Sequence, residues 1–331
     1  MKSEFYNPYV LKNICTPKQA AKRGPDAAAK NKQQFCLTFG GGGWRCMFFI
    51  GLLYFLETCL GREELQKRWK FAGESGGSAF AVYAGLGIKV SDLAAALRMV
   101  AKKAYEGTFR GALDSEAIGN ESLERALSGV TDDDVKANSH RILLSTNVID
   151  VCRALSFQGV LQPQVMTDFR TVREIKHAVN CSAYIPGPHP IFKTPALRGK
   201  FCCDGGMTVG GSVPTFDNCV IVYSLCCGAP YSGVPAHFND PSIAPNKYQD
   251  CSLLSLISAP SPSEFDAMIL NGYNQTAKFF VKYGLAVFQL KLNIPHAIKD
   301  PYFGKKSHAK MKEKKIKIKH RYSSRRRKRI L

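Results

Sequence analysis

Acid is scarce in this sequence. Its 331 residues hold 26 Asp and Glu against 46 Lys and Arg, a formal net charge of +20. Such an excess turns the chain toward polyanions, either acidic lipid headgroups or nucleic acid. Long apolar runs are also lacking. The best candidate, Met47 to Leu60, carries Glu57 inside it and has a length that suits a buried helix rather than a bilayer span. The start, Met1 to Leu11, has no apolar core followed by a cleavage site, so no secretory leader is expected. None of the 12 cysteines sets up a doubled CxxC pattern, which argues against a zinc site. Several lie inside apolar runs, where Cys acts as a small hydrophobe, and a reducing compartment is expected. There is no Walker A loop, no GxGxxG fingerprint and no calcium loop, so neither a cofactor nor a metal is expected. Internal repeats are absent.

What is present is an ordinary globular body with an unusual end. Hydrophobic residues make up 45% of the chain, and its length suffices for a core that needs no staples. From Lys305 to Leu331 there are 14 Lys and Arg against the single acid Glu313, which accounts for about two thirds of the excess charge. This gives three expected segments. Residues 1–33 form a flexible arm, 34–290 a catalytic domain, and 291–331 a basic tail that is disordered in isolation. Its basic stretch 305–331 holds one aromatic, Tyr322, which supports base stacking poorly, so anionic membrane is the favoured partner and nucleic acid the secondary one. A cytoplasmic protein, peripheral on membranes, is expected, and the tail would also serve as a nuclear-import signal.

Along the body, short apolar runs alternate with helical periodicity. Strands are expected at 35–39, 69–72, 141–148, 154–157, 200–203 and 220–225. Helices are expected at 46–60, 78–86, 91–105 (with Ser91 as N-cap), 167–179 and 262–283. The alternation predicts an α/β fold with a mostly parallel central sheet.

Three glycine-rich turns follow strand candidates. Gly40-Gly41-Gly42-Gly43-Trp44-Arg45 exposes several backbone N–H groups at a helix start, where an anionic oxygen can approach closely. Gly73-Glu74-Ser75-Gly76-Gly77 matches the G-x-S-x-G nucleophile elbow between a strand and a helix. Asp204-Gly205-Gly206 puts a carboxylate on a tight turn at a strand end. The second and third are weak signals alone. Together they supply a nucleophile, a base and a set of amide donors, the parts of an acyl-transfer site, and an open α/β sheet collects such parts at the carboxyl ends of its strands.

The order Gly-Gly-Gly-x-Arg, Gly-x-Ser-x-Gly about thirty residues later and Asp-Gly-Gly well over a hundred further on resembles the patatin-like phospholipases. Asn180-Cys181-Ser182-Ala183-Tyr184-Ile185-Pro186 is similar to the stretch that family carries before its Asp-Gly-Gly. The resemblance covers about Phe35 to Tyr283. It implies a three-layer fold flanked by helices and a lipid acyl hydrolase acting on phospholipid, lysophospholipid or acylglycerol. Ser75 and Asp204 would form a Ser-Asp dyad, and Gly41, Gly42 and Gly43 the oxyanion hole. Arg45, Gly73, Gly77, Gly205 and Gly206 would support them. Cys46 departs from the family's usual glycine and would narrow the loop's exit into the helix. Two rivals stand beside this reading. One is an α/β-hydrolase with a Ser-His-Asp triad, whose order leaves His237 as the serious histidine. The other is a catalytically silent lipid- or nucleic-acid-binding protein.

Overall fold

The computed structural model describes residues 9–10, 34–149, 161–185, 195–197, 199–207, 214–217, 219–224, 242–243, 256–282 and 287–288. The expected strand at 154–157, the basic tail, most of the N-terminal arm and His237 lie outside them. In chain order the elements begin with β1 (Tyr9–Val10), β2 (Gln34–Phe39), α1 (Phe48–Leu60), α2 (Arg62–Arg68), β3 (Trp69–Glu74) and α3 (Gly76–Gly85). Next come α4 (Val90–Glu106), α5 (Ser115–Ala126), α6 (Asp132–Asn138), β4 (Ile142–Ile149), β5 (Leu161–Met166) and α7 (Val172–Ala183). The last are β6 (Ala196–Leu197), β7 (Lys200–Cys203), β8 (Cys219–Ser224), β9 (Ser242–Ile243), α8 (Pro262–Lys282) and β10 (Val287–Phe288).

The result is the expected three-layer α/β fold, a mostly parallel sheet flanked by helices. β2 lies between β3 and β8, and the parallel set β9, β8, β2, β3, β4 forms the main sheet. Buried on both faces, β2 reads from Phe35 to Phe39 as an apolar run broken only by the buried Thr38 rather than as an alternation, as a central parallel strand should. β1 and β10 form a separate antiparallel pair.

The far side of β4 decides where the site is built. β5 runs antiparallel along one whole edge, from Leu144 opposite Met166 to Ile149 opposite Leu161. The other edge is shared. β3 covers its first half, ending with Glu74 opposite Ser145, and β7 covers the second half, with Cys203 opposite Asn147 and Cys202 opposite Val148. β7 is antiparallel to β4, so it runs toward β3 in the same lane of the sheet. The two strands meet end to end. The sequence reading gave this strand no direction; a four-residue strand carries nothing in its own residues that states it.

α1 is apolar on all sides because it is enclosed. Phe48, Phe49, Ile50, Leu52 and Phe55 are each 0% exposed. α8 crosses it so closely that a Cβ on Gly51 would strike the Ile269 carbonyl, and one on Gly272 the Phe48 carbonyl. Counting the 3-10 turn Gly43–Met47 that feeds it, the helical run reaches 18 residues, long and apolar enough by composition to cross a membrane. This is longer than the sequence suggested, but its side chains are core.

α4 begins at Val90, with Lys89 and not Ser91 at the cap position. No local side chain caps it; Glu57 of α1 accepts from the Val90 N–H at 3.0 Å. The helix expected from 167 also starts later, since α7 is capped by Thr171, whose hydroxyl accepts from Glu174 N at 3.0 Å. Arg141, buried just before β4, donates to the carbonyls of Leu65, Trp69 and Gly85, so α2, β3 and α3 are clamped by one guanidinium. The seven described cysteines are free thiols, five of them buried.

Candidate active site

Ser75 follows the last residue of β3 and precedes the first of α3, at φ 51°, ψ −135°. A non-glycine residue rarely tolerates this backbone, and its neighbours explain how it survives. A Cβ on Gly73 would strike the Gly77 carbonyl, and one on Gly77 would strike the carbonyls of Phe39 and Gly40. The small residues two before and two after the serine are therefore steric requirements of the elbow. The Ser75 N–H donates to Ser182 Oγ at 2.9 Å, and the Ser182 hydroxyl donates onward to the Ser145 carbonyl at 2.5 Å. The Ser75 carbonyl accepts from Ser78 N at 3.0 Å and Ser78 Oγ at 2.6 Å.

Asp204 arrives from the opposite direction at the tip of β7. It is 5% exposed, and its N–H donates to the Tyr184 carbonyl at 2.6 Å, which ties β7 to the end of α7. Its Oδ1 accepts from Gly206 N at 2.8 Å. Oδ2 is buried and takes no well-aligned hydrogen bond among the described residues. The Ser75 hydroxyl nevertheless acts on the carboxylate as a side-chain hydrogen-bonding neighbour. The two side chains are therefore neighbours at the strand ends. Burial raises the Asp204 pKa to about 7, with a smaller push from the Glu74 charge; the Ser75 and Gly206 hydrogen bonds pull against it.

The middle of β4 holds the two halves in register. Ser145, Thr146 and Asn147 are all 0% exposed. Ser145 receives Ser182 as above. Thr146 Oγ1 donates to the carbonyls of Cys181 and Cys203 at 2.8 and 2.9 Å. Asn147 Nδ2 donates to the carbonyls of Asp204 and Gly205 at 2.7 and 3.0 Å. A Cβ on Gly205 would come within 2.9 Å of the Ser145 carbonyl, so that glycine lets the turn press against β4. Sequence reasoning passed over these residues. Three consecutive polar residues inside Ile-Leu-Leu-Ser-Thr-Asn-Val-Ile were the available signal.

The glycine loop lies against the serine. A Cβ on Gly41 would sit 2.7 Å from Ser75 Cβ and 3.3 Å from Ser75 Oγ. Gly43 has φ 51°, and a Cβ there would strike the Leu256 carbonyl. Among the described residues no protein acceptor takes the Gly42 or Gly43 N–H, while Gly40 N is used by the Ser224 carbonyl at 2.8 Å. Arg45 lies in the 3-10 turn behind the loop, close enough to Glu264 to lower that carboxyl's pKa together with the stronger effects of Ser261 and Arg110.

The model of the family described as patatin-like phospholipase matches residues 37–217, just over half of the chain. The chain belongs to the patatin-like phospholipase family. The match spans all three glycine turns of this patatin-like domain. Among solved structures, VipD from Legionella pneumophila aligns with 12% identity and a TM-score of 0.42, over 76% of this chain and 67% of that one. The type III effector ExoU aligns with 14% identity and a TM-score of 0.39, over 76% and 53%. ExoU in its complex with SpcU from Pseudomonas aeruginosa gives 12% and 0.38, over 77% and 52%. The chain thus spans about half the length of the ExoU chains. No curated protein matches it.

One departure from the usual patatin-like pattern is accommodated. Cys46 is 1% exposed with Sγ 3.9 Å from the Gly40 carbonyl, and a Cβ on Gly76 would come within 2.9 Å of that sulfur. The thiol fills space that a glycine at position 76 leaves. Neither described histidine is bonded to the pair: His177 makes its contacts with the Ala196 carbonyl and Cys181 Sγ.

Proposed function

We propose that this protein hydrolyses the acyl esters of lipids through a Ser75-Asp204 dyad. The observation that carries the reading is the meeting of three parts at one point. The Ser75 hydroxyl neighbours a buried carboxylate whose pKa is near 7, and the Gly41 backbone lies against the same hydroxyl.

Asp204 takes the Ser75 proton as Oγ attacks the ester carbonyl. The developing oxyanion faces the amides of the Gly41–Gly43 loop and the positive end of α3. Asp204 returns the proton to the departing alcohol and leaves an acyl-enzyme. It then accepts a proton from the attacking water and passes it to Ser75 Oγ as the bond to the acyl carbon breaks and the fatty acid leaves. A carboxylate of ordinary pKa would be too weak a base; burial brings it near the operating pH, where proton transfer is most effective. Phospholipid, lysophospholipid and acylglycerol all present this ester. The basic tail adds attraction to anionic membrane, on the order of 1 kcal/mol per Lys or Arg near the surface.

Two experiments test the reading. Ser75→Ala and Asp204→Asn should each abolish ester hydrolysis with the fold intact; full activity in Asp204→Asn would remove the dyad. Deleting 305–331 should weaken binding to acidic vesicles and leave binding to neutral ones alone. Equal binding by both forms would remove the tail's membrane role.

A further inference from the structure

We infer that the cavity beside Ser75 is an acyl channel of fixed depth, with Ala79 at its first turn and Tyr83 at its end, that selects one straight acyl chain by length. The inference rests on the hydrolase reading for its chemistry but on the cavity alone for its shape. A cavity of about 400 Å³ is lined by Ser75 and Gly76 and by Ala79, Phe80 and Tyr83 of α3. Those positions follow Gly76 by three, four and seven residues, so they form one stripe of the helix. Tyr83 lies eight residues from the nucleophile, about 12 Å along the helix axis.

The walls beyond α3 are apolar where they are deepest. Leu97 of α4 and Leu123 of α5 are 2% and 3% exposed and line the cavity with Tyr83, itself 2% exposed. The polar lining residues Ser115, Glu116, Asn180 and His177 are all more exposed than these and form the outer part. An apolar inner end with a polar rim suits a hydrocarbon chain whose ester remains at Ser75. Ligand sites commonly span about 300–1,000 Å³. This one is near the low limit, so it fits a single chain, and the remainder of the lipid stays at the mouth. Ala79 is the smallest side chain of the stripe, and a bulky group there closes the channel one turn past the nucleophile.

The test uses the full chain with Ser75→Ala and a ladder of free fatty acids from butanoic to octadecanoic acid, each below its micelle concentration, by calorimetry. Affinity should rise about fourfold per methylene until the chain reaches Tyr83, and then level off. Ala79→Phe should move the plateau to shorter acids and Tyr83→Ala to longer ones. A misfolded variant cannot produce the second shift, and thermal melts accompany both. The same substitutions with Ser75 intact are then assayed on a p-nitrophenyl ester ladder, reading the palmitate-to-butyrate ratio of kcat/KM. A plateau at the same length in all three proteins, or affinity independent of length, overturns the channel. A plateau that moves without any ester hydrolysis supports the channel and removes the hydrolase reading. Hydrolysis whose length preference is unmoved by either variant keeps the hydrolase and removes the channel.

Discussion

Replacing Asp204 by Asn should make the protein more stable at pH 8 and no more stable at pH 4. Burial holds the Asp204 pKa at about 7 against the ordinary carboxylate value of 3.8. The folded pKa lies above the unfolded one, so the fold binds the proton more tightly than the unfolded chain does. The associated stability is fully present below about pH 4 and is lost as pH rises through 7. About three pKa units at about 1.4 kcal/mol each put the loss near 4 kcal/mol, an upper bound because the site relaxes around the charge. Asn has no proton to lose. Its amide oxygen keeps the acceptor role toward Gly206 N, and its amide nitrogen meets the Ser75 hydroxyl. Urea unfolding of both proteins at pH 4, 6 and 8 gives the difference at each pH, and any offset from the substitution itself cancels between them. The Asn variant should gain on the wild type by a few kcal/mol between pH 4 and 8. Parallel pH profiles would refute the reasoning, since they would mean that Asp204 ionises in the folded protein as it does in water.

Ser182→Ala removes the acceptor of the Ser75 N–H and leaves that buried donor unpaired, a cost of about 1–3 kcal/mol. Steady-state kinetics should show kcat falling more than KM rises, with Ser182→Thr recovering part of the turnover; wild-type kcat in Ser182→Ala would remove its positioning role. Gly41→Ala pushes a methyl into Ser75, and kcat should drop about 10²–10³-fold, the loss expected for a damaged oxyanion donor. An Ala variant with unchanged turnover on the ester ladder would mean that the loop does not face the reacting carbonyl.

The elbow was easier to read in the sequence than the strands and caps around it. Gly73, Ser75 and Gly77 announce the elbow because only small residues survive the collisions found there. Asp204 announces itself by the glycines that follow. The direction of β7 was not legible, because direction is a property of pairing rather than of residues. β5 was missed for a related reason. It is an edge strand with Pro163 inside, and its middle residues are exposed, so it has neither an apolar run nor an alternation. The cap of α4 was misassigned to Ser91 since a local rule cannot see that Glu57, on another helix, already serves the first amide. α6 was passed over although Thr131 and Asp134 spell a capping box that the structure forms. The clamp of Ser145, Thr146 and Asn147 was visible only as polar residues in apolar company, Ser182 only as part of the stretch 180–186, and their partners come from segments 35 to 107 positions away.

The pairing of Ser75 with Asp204 is tested most directly by the rate of covalent labelling with a fluorophosphonate, followed by mass spectrometry of the modified peptide. One adduct should form, on Ser75, at a rate that climbs as pH rises through about 7, where Asp204 loses its proton. The Asp204→Asn protein should label far more slowly and without that climb. An adduct on another residue, or wild-type labelling by the Asn variant, would contradict the account.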